Sequence, residues 1–136
     1  MQTFLPFPSF ELSAKALDMR RLGKQRVECK QLIRSLTEPD YGWRNHPASK
    51  MWKGNVQGLA AYGYEICKEW RRRGYKDTLL EWFDERRNAV GDPPLPHWLT
   101  EEFCRAHQSN LIRKDSGYYS PMFPGVLADL PYIWPV

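Results

Sequence analysis

The segment Leu17-Asp18-Met19-Arg20-Arg21-Leu22-Gly23-Lys24-Gln25-Arg26-Val27-Glu28 constrains the fold most, because wound as a helix it cannot bury its apolar stripe without burying polar groups. At about 100° per residue, Asp18, Leu22, Gln25, Cys29, Leu32, Ile33 and Leu36 fall on one face. Asp18 and Gln25 therefore share that stripe, with Arg21 and Glu28 on one flank and Arg26 on the other. Burying such groups is costly unless they are paired and hydrogen-bonded. The pattern has two readings: a functional site on this helix, or an ion-pair ladder along Asp18, Arg21, Gln25 and Glu28.

A chain of 136 residues fits one domain, expected to span 1–136, and can bury a sizeable core. Hydrophobic content of 42% with only nine glycines argues against disorder, and the apolar runs are too short to span a bilayer. No membrane association is expected. Met1-Gln2-Thr3-Phe4-Leu5-Pro6 lacks the basic flank and extended apolar core of a signal peptide, so residue 1 is expected to belong to the fold and the protein to the cytoplasm, in association with the nucleoid. Cys29, Cys67 and Cys104 have no CxxC spacing, which fits reduced core thiols rather than disulfides or zinc. Neither a metal nor a cofactor is expected.

The net charge of +4 is unevenly distributed: basic residues gather at Arg20-Arg21, Lys24, Arg26, Arg71-Arg72-Arg73, Arg86-Arg87 and Arg113-Lys114. Interleaved with six Trp and seven Tyr, these clusters suit a polyanion that carries stackable bases. The run before Gly74 also reads simply as cations at a helix C-terminus.

Periodicity gives an all-α architecture, a compact single-domain helical bundle with an irregular, aromatic-rich C-terminal tail. Ser9 is placed to cap a short helix through Leu17, and the polar-striped helix follows to about Leu36. After the loop Tyr41-Gly42-Trp43-Arg44-Asn45-His46-Pro47, the spacing of Trp52, Val56, Leu59, Gly63, Ile66 and Trp70 predicts a long central helix closed by Gly74. Thr78-Leu79-Leu80-Glu81 reads as a capping box for a helix to about Asn88, before a break at Gly91-Asp92-Pro93-Pro94-Leu95-Pro96. Thr100 is placed to cap a last helix through about Arg113, with Phe103, Cys104, His107 and Leu111 inward. The tail from Tyr118-Tyr119 to Trp134 is expected to pack as irregular chain over the helices.

An N-terminus leading into a helix with Arg20-Arg21-Leu22 and Arg26-Val27, a central helix ending in Arg72-Arg73-Gly74-Tyr75, Asn45-His46-Pro47 followed by Trp52, and an aromatic tail together resemble the pyrimidine dimer DNA glycosylases of the phage endonuclease V type. Lys24, Glu28 and Gln31 on the first long helix resemble a bacterial branch of that superfamily. The resemblance implies an all-helical enzyme whose N-terminal α-amine attacks the sugar C1′ of a damaged nucleotide to form a Schiff base, assisted by a helix carboxylate. An α-amine has a pKa of about 7.7 to 8.0, so part of it is nucleophilic at neutral pH. Where the family carries Arg-Glu-Leu, this chain carries Arg20-Arg21-Leu22, which leaves Glu28 or Asp18 as the carboxylate, Glu28 preferred. Gln2 is too bulky for efficient methionine excision, so the amine falls to Met1.

The other candidates keep two readings each. Lys24 is a phosphate contact or a rival nucleophile, His46 a helix cap or a DNA contact, and His107 a core histidine or a partner of the site. Trp52 and Trp70 are core by periodicity. Arg20, Arg21, Arg26, Arg113, Lys114 and Tyr118 read as contacts to the DNA backbone. The expected function is base excision of a damaged or modified pyrimidine from double-stranded DNA by a monomer, with or without strand nicking by an AP-lyase step. The alternatives are a catalytically inactive DNA-binding module and a helical protein-interaction scaffold.

Overall fold

A computed structural model describes residues 1–87 and 94–136. The predicted C-terminal end of the helix near Asn88, and Gly91, Asp92 and Pro93 of the predicted break, lie outside the described residues. Within them the chain is all-α, with no strand.

Helix α1 (Phe10–Ala16) starts where expected, with Ser9 Oγ accepting the Leu12 N–H at 3.1 Å. Helix α2 (Met19–Thr37) carries the polar stripe, with Leu22, Gln25, Cys29, Leu32 and Ile33 buried. Asp18 is its N-cap rather than a member of the helical face: its carboxylate accepts the Arg21 N–H and the Arg21 guanidinium.

The long central helix predicted from Trp52 is two elements. Helix α3 (Pro47–Met51) ends at Trp52, Gly54 turns the chain with φ 82°, and Asn55 Oδ1 caps the Gly58 N–H at 3.0 Å to open α4 (Val56–Arg72). The apolar spacing continues across this turn because Trp52 packs into the same core, fully buried, its indole N–H on Thr3 Oγ1 at 3.1 Å. Helix α5 (Leu80–Asp84) is short, and its start is capped by Asp77 Oδ2 on the Leu80 N–H at 2.8 Å, not by Thr78. Helix α6 (Glu101–Lys114) starts from Thr100 and buries Phe103, Cys104, His107 and Leu111 as expected. One turn missed in the sequence, α7 (Ser116–Tyr119), follows at once, with Asp115 Oδ1 accepting the Tyr118 N–H. Beyond it the tail is irregular.

Helix α4 packs along α1, α2 and α5. Two glycines permit the close approach: a Cβ on Gly23 would lie 2.9 Å from the Trp70 ring, and one on Gly63 would lie 2.5 Å from Phe83.

The answer to the polar stripe is the N-terminal segment, which is extended, non-helical and buried from Gln2 to Leu5. Its backbone has no ladder to join, so side chains must satisfy it. Gln25 Oε1 accepts the Phe4 N–H at 3.0 Å while Gln25 Nε2 donates to Gln2 O at 2.7 Å. His107 Nδ1 accepts the Leu5 N–H at 3.0 Å, and the Tyr62 hydroxyl donates to Phe4 O at 2.6 Å. Gln25 is polar on an apolar face because it pairs with a buried extended chain.

Candidate active site

The N-terminal segment emerges from the core at one end, and there Met1 and Gln2 form a wall of a pocket of about 610 Å³. Helix α2 supplies Arg20, Arg21, Lys24 and Glu28, the loop before α3 supplies His46, the end of α6 supplies Lys114, and the tail closes it with Tyr132 and Trp134. Four cationic side chains thus share one pocket with a single carboxylate and Met1.

Glu28 is held from two sides. Gln25 Nε2 and the Gln2 backbone N–H donate to Oε2 at 3.3 and 3.4 Å, while Lys24 Nζ lies 3.6 Å from Oε1. Its side chain is 12% exposed whereas that of Lys24 is 75% exposed, so the carboxylate is sheltered and the ammonium faces outward. His46 Nδ1 caps α3 by accepting the Ala48 N–H at 3.0 Å, which leaves the proton of the neutral ring on Nε2. Burial pulls the His46 pKa below its ordinary value, the Met1 ammonium adds to this, and Glu28 opposes both. His46 caps a helix as expected and also lines the pocket.

The structure brings together Met1, Arg20, Arg21, Lys24, Glu28, His46 and Lys114 from the sequence candidates. It places the others elsewhere. Asp18 does not line the pocket; besides capping α2, it accepts a hydrogen bond from the Tyr119 hydroxyl, whose oxygen accepts the Asp18 N–H at 2.8 Å. Burial raises the Asp18 carboxyl, but the Tyr119 and Arg21 hydrogen bonds outweigh it and hold the pKa below the usual range. Arg26 lies outside the pocket lining: its Nε donates to Asp77, whose side chain is buried, at 2.8 Å, and its guanidinium lies 5.2 Å from the Trp70 ring. His107 is wholly buried, and burial alone lowers its pKa to about 3, so it is a neutral core residue that cannot reach DNA. Arg113 clamps the tail, its Nη1 donating to Ala128 O at 2.7 Å and Leu130 O at 2.9 Å. Tyr118 is exposed on α7 and is not part of the pocket lining.

Gln2, Phe4, Tyr132 and Trp134 are pocket residues that sequence reasoning did not single out as site residues. The two tail aromatics stack with ring centroids 5.6 Å apart, and Trp134 meets His46 edge-on at 6.1 Å. Their spacing of two in an extended tail was the available signal.

The all-α domain thus carries a pocket that combines four cationic side chains, two tail aromatics, one carboxylate and Met1. A family model described as pyrimidine dimer DNA glycosylase matches residues 1–81, more than half of the chain, and the chain belongs to that family. Membership places it among DNA-repair glycosylases, with DNA as the substrate. No curated protein and no solved structure matches. The matched span contains the Met1, α2 and His46 walls of the pocket, whereas Lys114, Tyr132 and Trp134 come from beyond it. Among the described residues no helix is long and apolar enough to cross a membrane.

Proposed function

We propose that this protein, acting as a single domain over 1–136, excises a damaged or modified pyrimidine from duplex DNA through the Met1 α-amino group, with Glu28 as the assisting carboxylate. The observation that carries this reading is the convergence of Met1, Glu28 and four cations on one pocket. Arg20, Arg21, Lys24 and Lys114 would hold backbone phosphates around an extruded nucleotide. The neutral amine attacks C1′ as the glycosidic bond breaks, the base leaving with the bonding pair and accepting a proton. Glu28, largely sheltered and hydrogen-bonded by Gln25 Nε2 and the Gln2 N–H, stabilises positive charge developing at the sugar. Loss of the amine proton and ring opening then give a Schiff base. Hydrolysis of it restores the amine; proton abstraction from C2′ before hydrolysis instead forms a C2′–C3′ double bond and breaks the C3′–O bond, the 3′-phosphate leaving with the bonding pair, which nicks the strand in a lyase step.

Lys24 is the rival nucleophile, but its exposure and its position over Glu28 suit a phosphate contact. Binding without catalysis is favoured by one observation, Arg21 standing where the resemblance puts a glutamate. Sodium borohydride trapping on duplexes carrying an abasic site or a thymine dimer, with mass mapping of the linked peptide, decides among these. An adduct on Met1 supports the proposal, one on Lys24 moves the nucleophile, and salt-sensitive binding without any adduct leaves a binding module.

A further inference from the structure

Between α2 and α3 the chain projects a short tip, Gly42-Trp43-Arg44-Asn45, of which every residue is exposed. Trp43 is 50% exposed and has φ 71°, the one positive φ at a non-glycine among the described residues. A bulky side chain in the left-handed region is strained and persists only where the surroundings hold it there. Here they do: the Trp43 carbonyl accepts the His46 N–H at 3.0 Å and the Ser49 hydroxyl at 2.7 Å. Ser49 is itself buried, its oxygen 2.9 Å from that of Ser35 in α2. On the far side, Arg44 donates to Glu38 O at 3.0 Å. The tip is fastened at both ends while its largest apolar side chain stands in solvent.

The ring of Trp43 also heads a row that runs into the pocket. Trp43 meets His46 edge-on at 5.5 Å, His46 meets Trp134 at 6.1 Å, and Trp134 stacks with Tyr132 at 5.6 Å. A flat aromatic fixed at the rim of a cationic pocket matches one partner, a stack of bases from which a nucleotide is being withdrawn, since drawing it out leaves a gap of ring thickness that some side chain must fill.

We propose that Trp43 is the wedge of this protein, inserted into the duplex in place of the extruded nucleotide and held for that task by the pinned carbonyl and the His46 edge. The inference rests on the DNA-excision reading above, but not on its chemistry.

The test uses the full chain and a duplex carrying 2-aminopurine next to a tetrahydrofuran abasic analogue, which cannot form a Schiff base. Wild type and Trp43→Phe should change the 2-aminopurine fluorescence at saturating protein. Trp43→Gly and Trp43→Asn, both of which tolerate a left-handed backbone and preserve the loop, should bind with that change reduced by roughly threefold or more. Equal saturating signals in wild type and in either folded variant overturn the proposal, as does wild-type binding with no signal at all. Borohydride trapping on a single-stranded abasic oligonucleotide, where there is no stack to open, separates the two readings. Trp43→Gly should trap there as wild type does. A missing wild-type adduct beside an intact fluorescence contrast would sink the amine chemistry and leave the wedge.

Discussion

His46 caps α3 through Nδ1 and also lines the pocket, and the two roles are separable by one substitution. Asparagine is a favoured N-cap, so His46→Asn keeps an acceptor for the start of α3 while removing the imidazole ring from the pocket lining. Stability measured by denaturant should change by less than about 1 kcal/mol, while kcat/KM on damaged duplex should fall roughly tenfold. Unchanged turnover would confine His46 to the cap. Gln25 was legible in the sequence because a polar residue on an apolar helical face needs a partner. The identity of that partner was not: nothing local in Met1-Gln2-Thr3-Phe4 announces an extended chain buried beside α2. Asp18, Arg26 and His107 lie outside the pocket lining for one reason. Their partners Tyr119, Asp77 and Leu5 lie 101, 51 and 102 residues away in sequence, and only tertiary structure shows the hydrogen bonds that occupy them.

At the level of elements, capping residues marked the starts of α1 and α6, where Ser9 and Thr100 act within one turn. The same logic failed at α4, because an apolar repeat records which residues are buried and not whether the backbone between them turns at Gly54. It failed at α5 because Asp77 competes successfully with Thr78 for the free N–H of Leu80. The tail is the element whose place was least legible, since Arg113 reads as a surface cation until its carbonyl partners are known. Hydrogen bonds from a charged donor contribute about 1.5 to 3 kcal/mol, so Arg113→Gln should release the tail beyond Ala128. Amide exchange in the tail should accelerate, and affinity for an abasic duplex should drop as Tyr132 and Trp134 leave the pocket wall. Unaltered exchange there would contradict the clamp.

For the molecule as a whole, His107 ties stability to pH. Burial lowers its folded pKa to about 3, below the ordinary value of 6.5, so the unfolded chain binds the extra proton between those values. Its contribution is complete above about pH 6.5 and is lost as pH falls toward about 3, at a limiting slope on the order of 1.4 kcal/mol per pH unit. His107→Gln retains an acceptor for the Leu5 N–H and should flatten this part of a stability-versus-pH curve; an unchanged slope would assign the acid sensitivity to other groups. The same histidine accepts the Leu5 N–H in the segment that carries Met1 to the pocket. The most direct measurement is borohydride trapping of wild type and Glu28→Gln on an abasic duplex, with the adduct mapped by mass. A Met1 adduct in wild type, with Glu28→Gln retaining duplex affinity but losing turnover, is the result expected of an amine acting beside Glu28. Tight, salt-sensitive binding with no adduct, or full cleavage by Glu28→Gln, would contradict it.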